Sequence, residues 1–103
     1  MPHLTTTFAA LGDPTRFAIV DRLLREGEKS AGDLLDVAKI SAPAMSRHFK
    51  VLREAGIINQ RIDKQRRLYS VRPEAVRGIS DWTLSYRQFW DQSLTRLAAQ
   101  LEE

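Results

Sequence analysis

The 103-residue chain has no cysteine and only two histidines. Without thiols there can be no disulfide framework, thiolate metal site or thiol redox chemistry. No segment approaches the roughly 20 consecutive apolar residues needed to span a bilayer. The opening MPHLTTTFAALGDPT has neither a basic start nor a long apolar run. It does not read as a secretory signal, and a cytoplasmic location with no membrane partner is expected. Glycine-rich phosphate cradles, low-complexity tracts, flexible linkers and internal repeats are missing too. The acids are scattered without a paired spacing, and no histidine stands near a Ser/Asp pair. The chain therefore does not read as an enzyme, and no metal or cofactor is expected.

What is present is a globular composition, 43% hydrophobic, enough for one packed core and one domain over residues 1–103. A domain this small gains from burial against a second copy. Its charge is uneven. Nine Lys and Arg stand between Lys39 and Arg72 against two acids, a net of +7. The rest carries seven cations and eleven acids, a net of −4. Cations gathered on one module are the footprint of a polyanion partner. A merely solvated basic surface is the competing reading.

Leu4 to Leu11 is a short candidate helix with Leu4, Phe8 and Leu11 on one face, ended by Gly12. Asp13 and Pro14 suit the N-cap and first position of a second helix, in which Phe17, Val20, Leu23 and Leu24 recur at helical spacing. Ser30 and Asp33 form a capping box for a helix Ala31 to Val37, with Leu34 and Leu35 inward. Ser41 caps the next helix. There Ala42, Met45, Phe49 and Leu52 form an apolar stripe, and Pro43, Arg47, Lys50 and Glu54 lie opposite, with Ser46 at the edge. Gly56 stops it. Ile57 to Ile62 and Leu68 to Val71 read as strands around a cationic tip, Asp63 to Arg67. Pro73 opens a last helix that continues toward the C-terminus. Its stripe is Ile79, Trp82, Tyr86, Phe89, Trp90, Leu94, Leu97 and Leu101, more apolar surface than the remaining chain can cover. A second subunit is the economical cover.

The expected fold is thus mainly α with a small β-hairpin (α+β), a dimeric winged helix-turn-helix. Its helix-turn-helix spans about 31–55, its wing about 57–71. In that geometry the start of the second helix enters the DNA major groove. Pro43, Ala44, Ser46 and Arg47 are the candidates for base edges, with Arg47 suited to guanine O6 and N7. Ser41 and Lys50 are better placed for phosphates. Arg61, Lys64, Gln65, Arg66 and Arg67 form a wing that can meet phosphates or a narrow minor groove. His48 lies near the apolar stripe and suits a packing role and a DNA contact equally.

Leu11-Gly12-Asp13-Pro14-Thr15-Arg16 and Ser46-Arg47-His48-Phe49-Lys50-Val51-Leu52-Arg53-Glu54-Ala55-Gly56 resemble the opening and recognition-helix signatures of the ArsR/SmtB-type bacterial repressors. The resemblance covers about two thirds of the chain. Tyr86-Arg87-Gln88-Phe89-Trp90 is similar to the last helix of a metal-independent branch. The resemblance implies a homodimer built through residues of about 4–11 and 74–102, with Leu4, Phe8, Trp82, Tyr86, Phe89, Trp90, Leu94 and Leu97 at the interface, repressing from a palindromic operator on double-stranded DNA. Metal-sensing relatives carry two cysteines where this chain has Ser30 and Gly32. The other familiar metal site uses Asp and His on the last helix, which here has no histidine. The wing also lacks the usual tip glycine, having Gln65 near that point. A small-molecule effector near Trp82, Tyr86 and Trp90, a protein effector, or none are all compatible with the residues. The alternative function is a winged-helix module that binds protein or structured RNA.

Overall fold

A computed structural model describes residues 3–102. Five α-helices and three short strands follow in the order α1 (Leu4–Leu11), α2 (Pro14–Glu26), β1 (Lys29–Ser30), a 3₁₀ helix (Gly32–Val37), α3 (Ala42–Glu54), β2 (Ile58–Asp63), β3 (Arg66–Val71), α4 (Pro73–Leu84) and α5 (Arg87–Leu101). The strands form one antiparallel sheet in the order β1-β3-β2. No described helix is long and apolar enough to cross a membrane.

Local chemistry accounts for most of the boundaries. The Asp13 carboxylate accepts from the Arg16 amide at 3.0 Å and Pro14 takes the first position, so α2 starts there. Ser30 and Asp33 bond reciprocally, the Ser30 hydroxyl accepting from the Asp33 amide at 3.1 Å and the Asp33 carboxylate from the Ser30 amide at 3.4 Å. The element they open is a tight 3₁₀ turn of six residues rather than an α-helix, the usual form of so short a piece. The Ser41 hydroxyl accepts from the Ala44 amide at 3.2 Å and caps α3. At the far end of α3, Gly56 takes φ 75, a conformation other residues adopt reluctantly. The Ile57 amide then donates to the Leu52 carbonyl at 3.0 Å and the chain turns into β2.

The core joins Ile19, Val20 and Leu23 of α2, Leu34 of the 3₁₀ helix, Met45, Phe49 and Leu52 of α3, and Ile57, Ile58 and Tyr69 of the wing. Three expectations about it need correction. Leu35 is 42% exposed, because the 3₁₀ turn buries Leu34 and packs Val37 against the core instead. Ala42 is exposed at the open first turn of α3. Phe17 and Leu24 are 58% and 54% exposed, since α2 turns its Ile19–Val20–Leu23 face inward instead. On α1 the buried residues are Thr7 and Ala10, with Leu4 and Leu11 half-buried and Phe8 exposed.

The C-terminal region differs more. The expected single helix breaks at Ser85–Tyr86 into α4 and α5. The Ser85 hydroxyl donates to the Trp82 carbonyl at 2.6 Å, and the Thr83 hydroxyl to the Ile79 carbonyl at 3.0 Å. Side-chain bonds of this kind compete with the helical ladder. The Tyr86 amide reaches only the Thr83 carbonyl, at 3.1 Å, which tightens the last turn. Helix α5 then restarts and buries no residue at all.

Candidate nucleic-acid interface

The amphipathicity of α3 sorts its side chains. Met45, Phe49 and Leu52 are fully buried, and Pro43, Ser46, Arg47 and Lys50 are exposed on the other side. Ala44 is half-buried and Ser41 is committed to the cap. Phe49 stacks on Tyr69 of β3 with ring centroids 4.4 Å apart, and the Tyr69 hydroxyl donates to Gln60 on β2 at 3.0 Å. This stack fixes α3 against the wing. The sheet is tied back to the helix-turn-helix by β1, which pairs Lys29 with Tyr69 and Ser30 with Leu68 just before the 3₁₀ helix. Neither contact is visible locally in the sequence.

The wing turns on only two residues, Lys64 and Gln65. Lys64 supplies the left-handed conformation, φ 60, that a tip glycine would otherwise take. Arg66 and Arg67 therefore belong to β3, not to the tip. Residues two apart on a strand share a face. Arg67 thus projects on the side of β3 that Tyr69 uses to meet α3, and Arg66 on the opposite side with Leu68.

The four wing cations are also unequal electrostatically. Arg61 is held by Glu28 in a two-pronged ion pair, at 2.8 and 2.7 Å. The bond from Arg61 holds the Glu28 carboxyl below the usual carboxylate range. Arg66 lies 3.7 Å from Asp63. On α3, Lys50 lies 4.0 Å from Glu54, one turn along. Among the described residues, Arg47, Lys64 and Arg67 have no carboxylate within 4.0 Å.

His48 is turned toward α2. Its side chain is 22% exposed, with Nδ1 3.2 Å from the Arg16 guanidinium and 3.8 Å from Asp13. Sequence spacing gives no sign that Asp13, Arg16 and Glu28 partner these groups, because each pair is separated by 32 or more positions in the chain.

The aromatic surface lies at the α4–α5 break. Trp82, Tyr86, Phe89 and Trp90 line an open cavity of about 380 Å³ together with Thr83. Trp82 packs edge-on against Phe8 of α1 at 5.5 Å and against Tyr86 at 5.9 Å. Leu94 and Leu97 continue this exposed surface along α5, while Leu4 sits half-buried beneath α4, 3.9 Å from the place a Gly78 side chain would occupy.

Comparison with known proteins agrees with this architecture. The family described as a helix-turn-helix domain matches residues 11–61. The transcriptional repressor SdpR of Bacillus subtilis is 32% identical over 91 residues, which is 88% of this chain and 100% of that protein. The HTH-type transcriptional regulator Rv2034 of Mycobacterium tuberculosis is 37% identical over 89 residues, 86% of this chain and 79% of the relative. A crystallised ArsR family transcriptional regulator superposes with a TM-score of 0.76 at 26% identity, covering 85% of this chain and 96% of that one. A solved possible transcriptional regulator for arsenical resistance gives 0.65 at 31% identity, over 91% and 94% of the two chains.

Proposed function

Because the chain belongs to the ArsR/SmtB-type family of winged helix-turn-helix, DNA-binding transcriptional regulators, we propose that it is a homodimeric repressor that reads a palindromic operator with α3. The observation that carries this reading is the exposed edge of α3. Among the described residues Arg47 has no carboxylate partner there, while the opposite side of the helix is locked into the core by Met45, Phe49 and Leu52. In this reading Pro43, Ala44, Ser46 and Arg47 meet base edges, and Ser41 and Lys50 meet phosphates. Phe8, Trp82, Tyr86, Phe89, Trp90, Leu94 and Leu97, with Leu4 beneath them, form the dimer contact. Metal sensing through the family's usual sites is not part of the proposal, since Ser30 and Gly32 offer no thiolate and the last helix no histidine.

Selection from random duplex DNA at physiological salt tests it. An imperfect palindrome with half-site centres about 10 bp apart, or a multiple of that, is expected. Absence of any enriched duplex, with tight binding to structured RNA or to a protein, would assign the module to the other class of partner.

The wing supplies a graded second measurement. Arg67 and Lys64 are free for phosphates, whereas Arg61 is neutralised by Glu28. Arg67→Ala is expected to flatten the plot of log affinity against log salt by about 0.9 for each phosphate it no longer neutralises. Arg61→Ala should change the slope much less. Glu28→Gln should release Arg61 and steepen the slope. Equal slopes for Arg61→Ala and Arg67→Ala would show that the Glu28 pair opens on DNA.

A further inference from the structure

One polar cluster links α1, α2 and α3 without lying on the exposed edge of α3. Arg16 is half-buried. Its Nε donates to the Ala10 carbonyl near the end of α1 at 2.7 Å, and its Nη1 lies 3.2 Å from His48 Nδ1 on α3. Its backbone amide meets Asp13, whose carboxylate stands 3.8 Å from the same imidazole nitrogen. That amide is the main reason the Asp13 carboxyl is held below its ordinary range. Beside this cluster, α1 and α3 do not close on each other. An open cleft of about 330 Å³ lies between them, lined by Ala9, Ala10, Val51, Glu54 and Arg16.

From this geometry we infer that Arg16 and His48 are positioning residues that set the angle of α3 relative to α1, and so the fit of Arg47 to its base. The inference rests on the reading of α3 given above. A guanidinium can only donate. In that contact His48 Nδ1 is therefore the acceptor. Asp13 is the second charged group beside the ring, 3.8 Å from the same nitrogen. These two groups, from α2 and its cap, are the charged groups facing the ring. Losing the Arg16 link thus releases α3 from α1. Phosphate contacts made by the wing do not depend on this link. Operator affinity is coupled to it and random-DNA affinity is not.

The test uses the full chain and a duplex it has itself selected from a random pool, with random duplex alongside. Arg16→Lys keeps the charge but cannot bridge Ala10 and His48 together. It is expected to lower operator affinity about tenfold at neutral pH, as one hydrogen bond to a charged group implies, and to leave random-duplex affinity within about twofold. His48→Leu should lose a similar factor, and the double variant no more than either alone. His48→Asn, whose side-chain carbonyl can stand where Nδ1 stands, should restore most of the loss. Additive losses, equal losses on both duplexes, or no rescue by asparagine would each overturn the inference. If Arg47→Ala also leaves operator affinity unchanged, the reading of α3 itself has failed, not merely the link.

Discussion

Arg47→Ala is expected to lower affinity for the selected operator by about 100-fold while leaving random duplex within a few-fold. Arg47 is exposed on the side of α3 opposite Met45, Phe49 and Leu52, so its removal leaves no cavity and the fold should be unchanged. A bidentate arginine–guanine contact discriminates by roughly 1–3 kcal/mol, and the proposed two-fold dimer makes it twice, so the 100-fold loss, about 2.7 kcal/mol, lies in the lower half of the doubled range. Random DNA retains the phosphate contacts, which carry nearly all of non-specific binding. Arg47→Lys separates the two contributions. It keeps the charge but lacks the planar fork, so it should resemble alanine on the operator and the parent on random duplex. Proportional losses on both duplexes would make Arg47 a phosphate contact and move sequence reading to Ser46 or Ala44.

That experiment probes the part of the molecule most legible in the sequence. The cap at Ser41 and the Met45–Phe49–Leu52 stripe are local signals, and one helix facing one core has only one way to satisfy them. Helix α2 shows the limit of the same reasoning. Phe17, Val20 and Leu24 fit a 3-4 spacing as well as Ile19, Val20 and Leu23 do, and only the position of the neighbouring helices decides which face is buried. The break at Ser85–Tyr86 involves no glycine or proline, and the apolar stripe runs straight through it, so periodicity predicts one helix. At the break stand two hydroxyl-to-carbonyl bonds that sequence reading weights lightly.

The candidate site divides in the same way. Which residues are cationic is plain from the sequence, but which cations remain available is not. Glu28 reaches Arg61 only because the loop after α2 runs beside the wing once β1 pairs with β3. Strand β1 is two residues long and carries no alternation of its own. The orientation of His48 depends on Arg16, placed there by the α2–α3 packing. Charge and amphipathicity are read locally, whereas partnership between charges is a property of the assembled fold.

Trp82→Ala combined with Phe89→Ala is expected to convert the proposed dimer to a monomer at micromolar protein in sedimentation. The four aromatics at the α4–α5 break and the leucines beyond them are about half exposed or more, Trp82 by 47% and Leu94 by 62%, and α5 buries no residue within its own chain. An amphipathic helix with its apolar side in water gains little stability from propensity alone and depends on tertiary or intersubunit packing. Truncating a well-packed aromatic at an interface costs about 2 kcal/mol or more. The two substitutions occur on both subunits, so roughly 8 kcal/mol is removed, enough to carry a nanomolar dimer to near-millimolar dissociation. Operator affinity should fall with it, because the second half-site is no longer reached intramolecularly, a loss on the order of 10² or more. Random-duplex binding by each separate wing should survive. Removing the Trp82 ring from Phe8 also loosens α1, so Leu94→Glu with Leu97→Glu, on the helix that buries none of its own residues, provides the independent variant. A dimer that persists through both pairs of substitutions would place the interface elsewhere, with the apolar groove that exposes Phe17 and Leu24 between α1, α2 and α4 as the next surface to mutate.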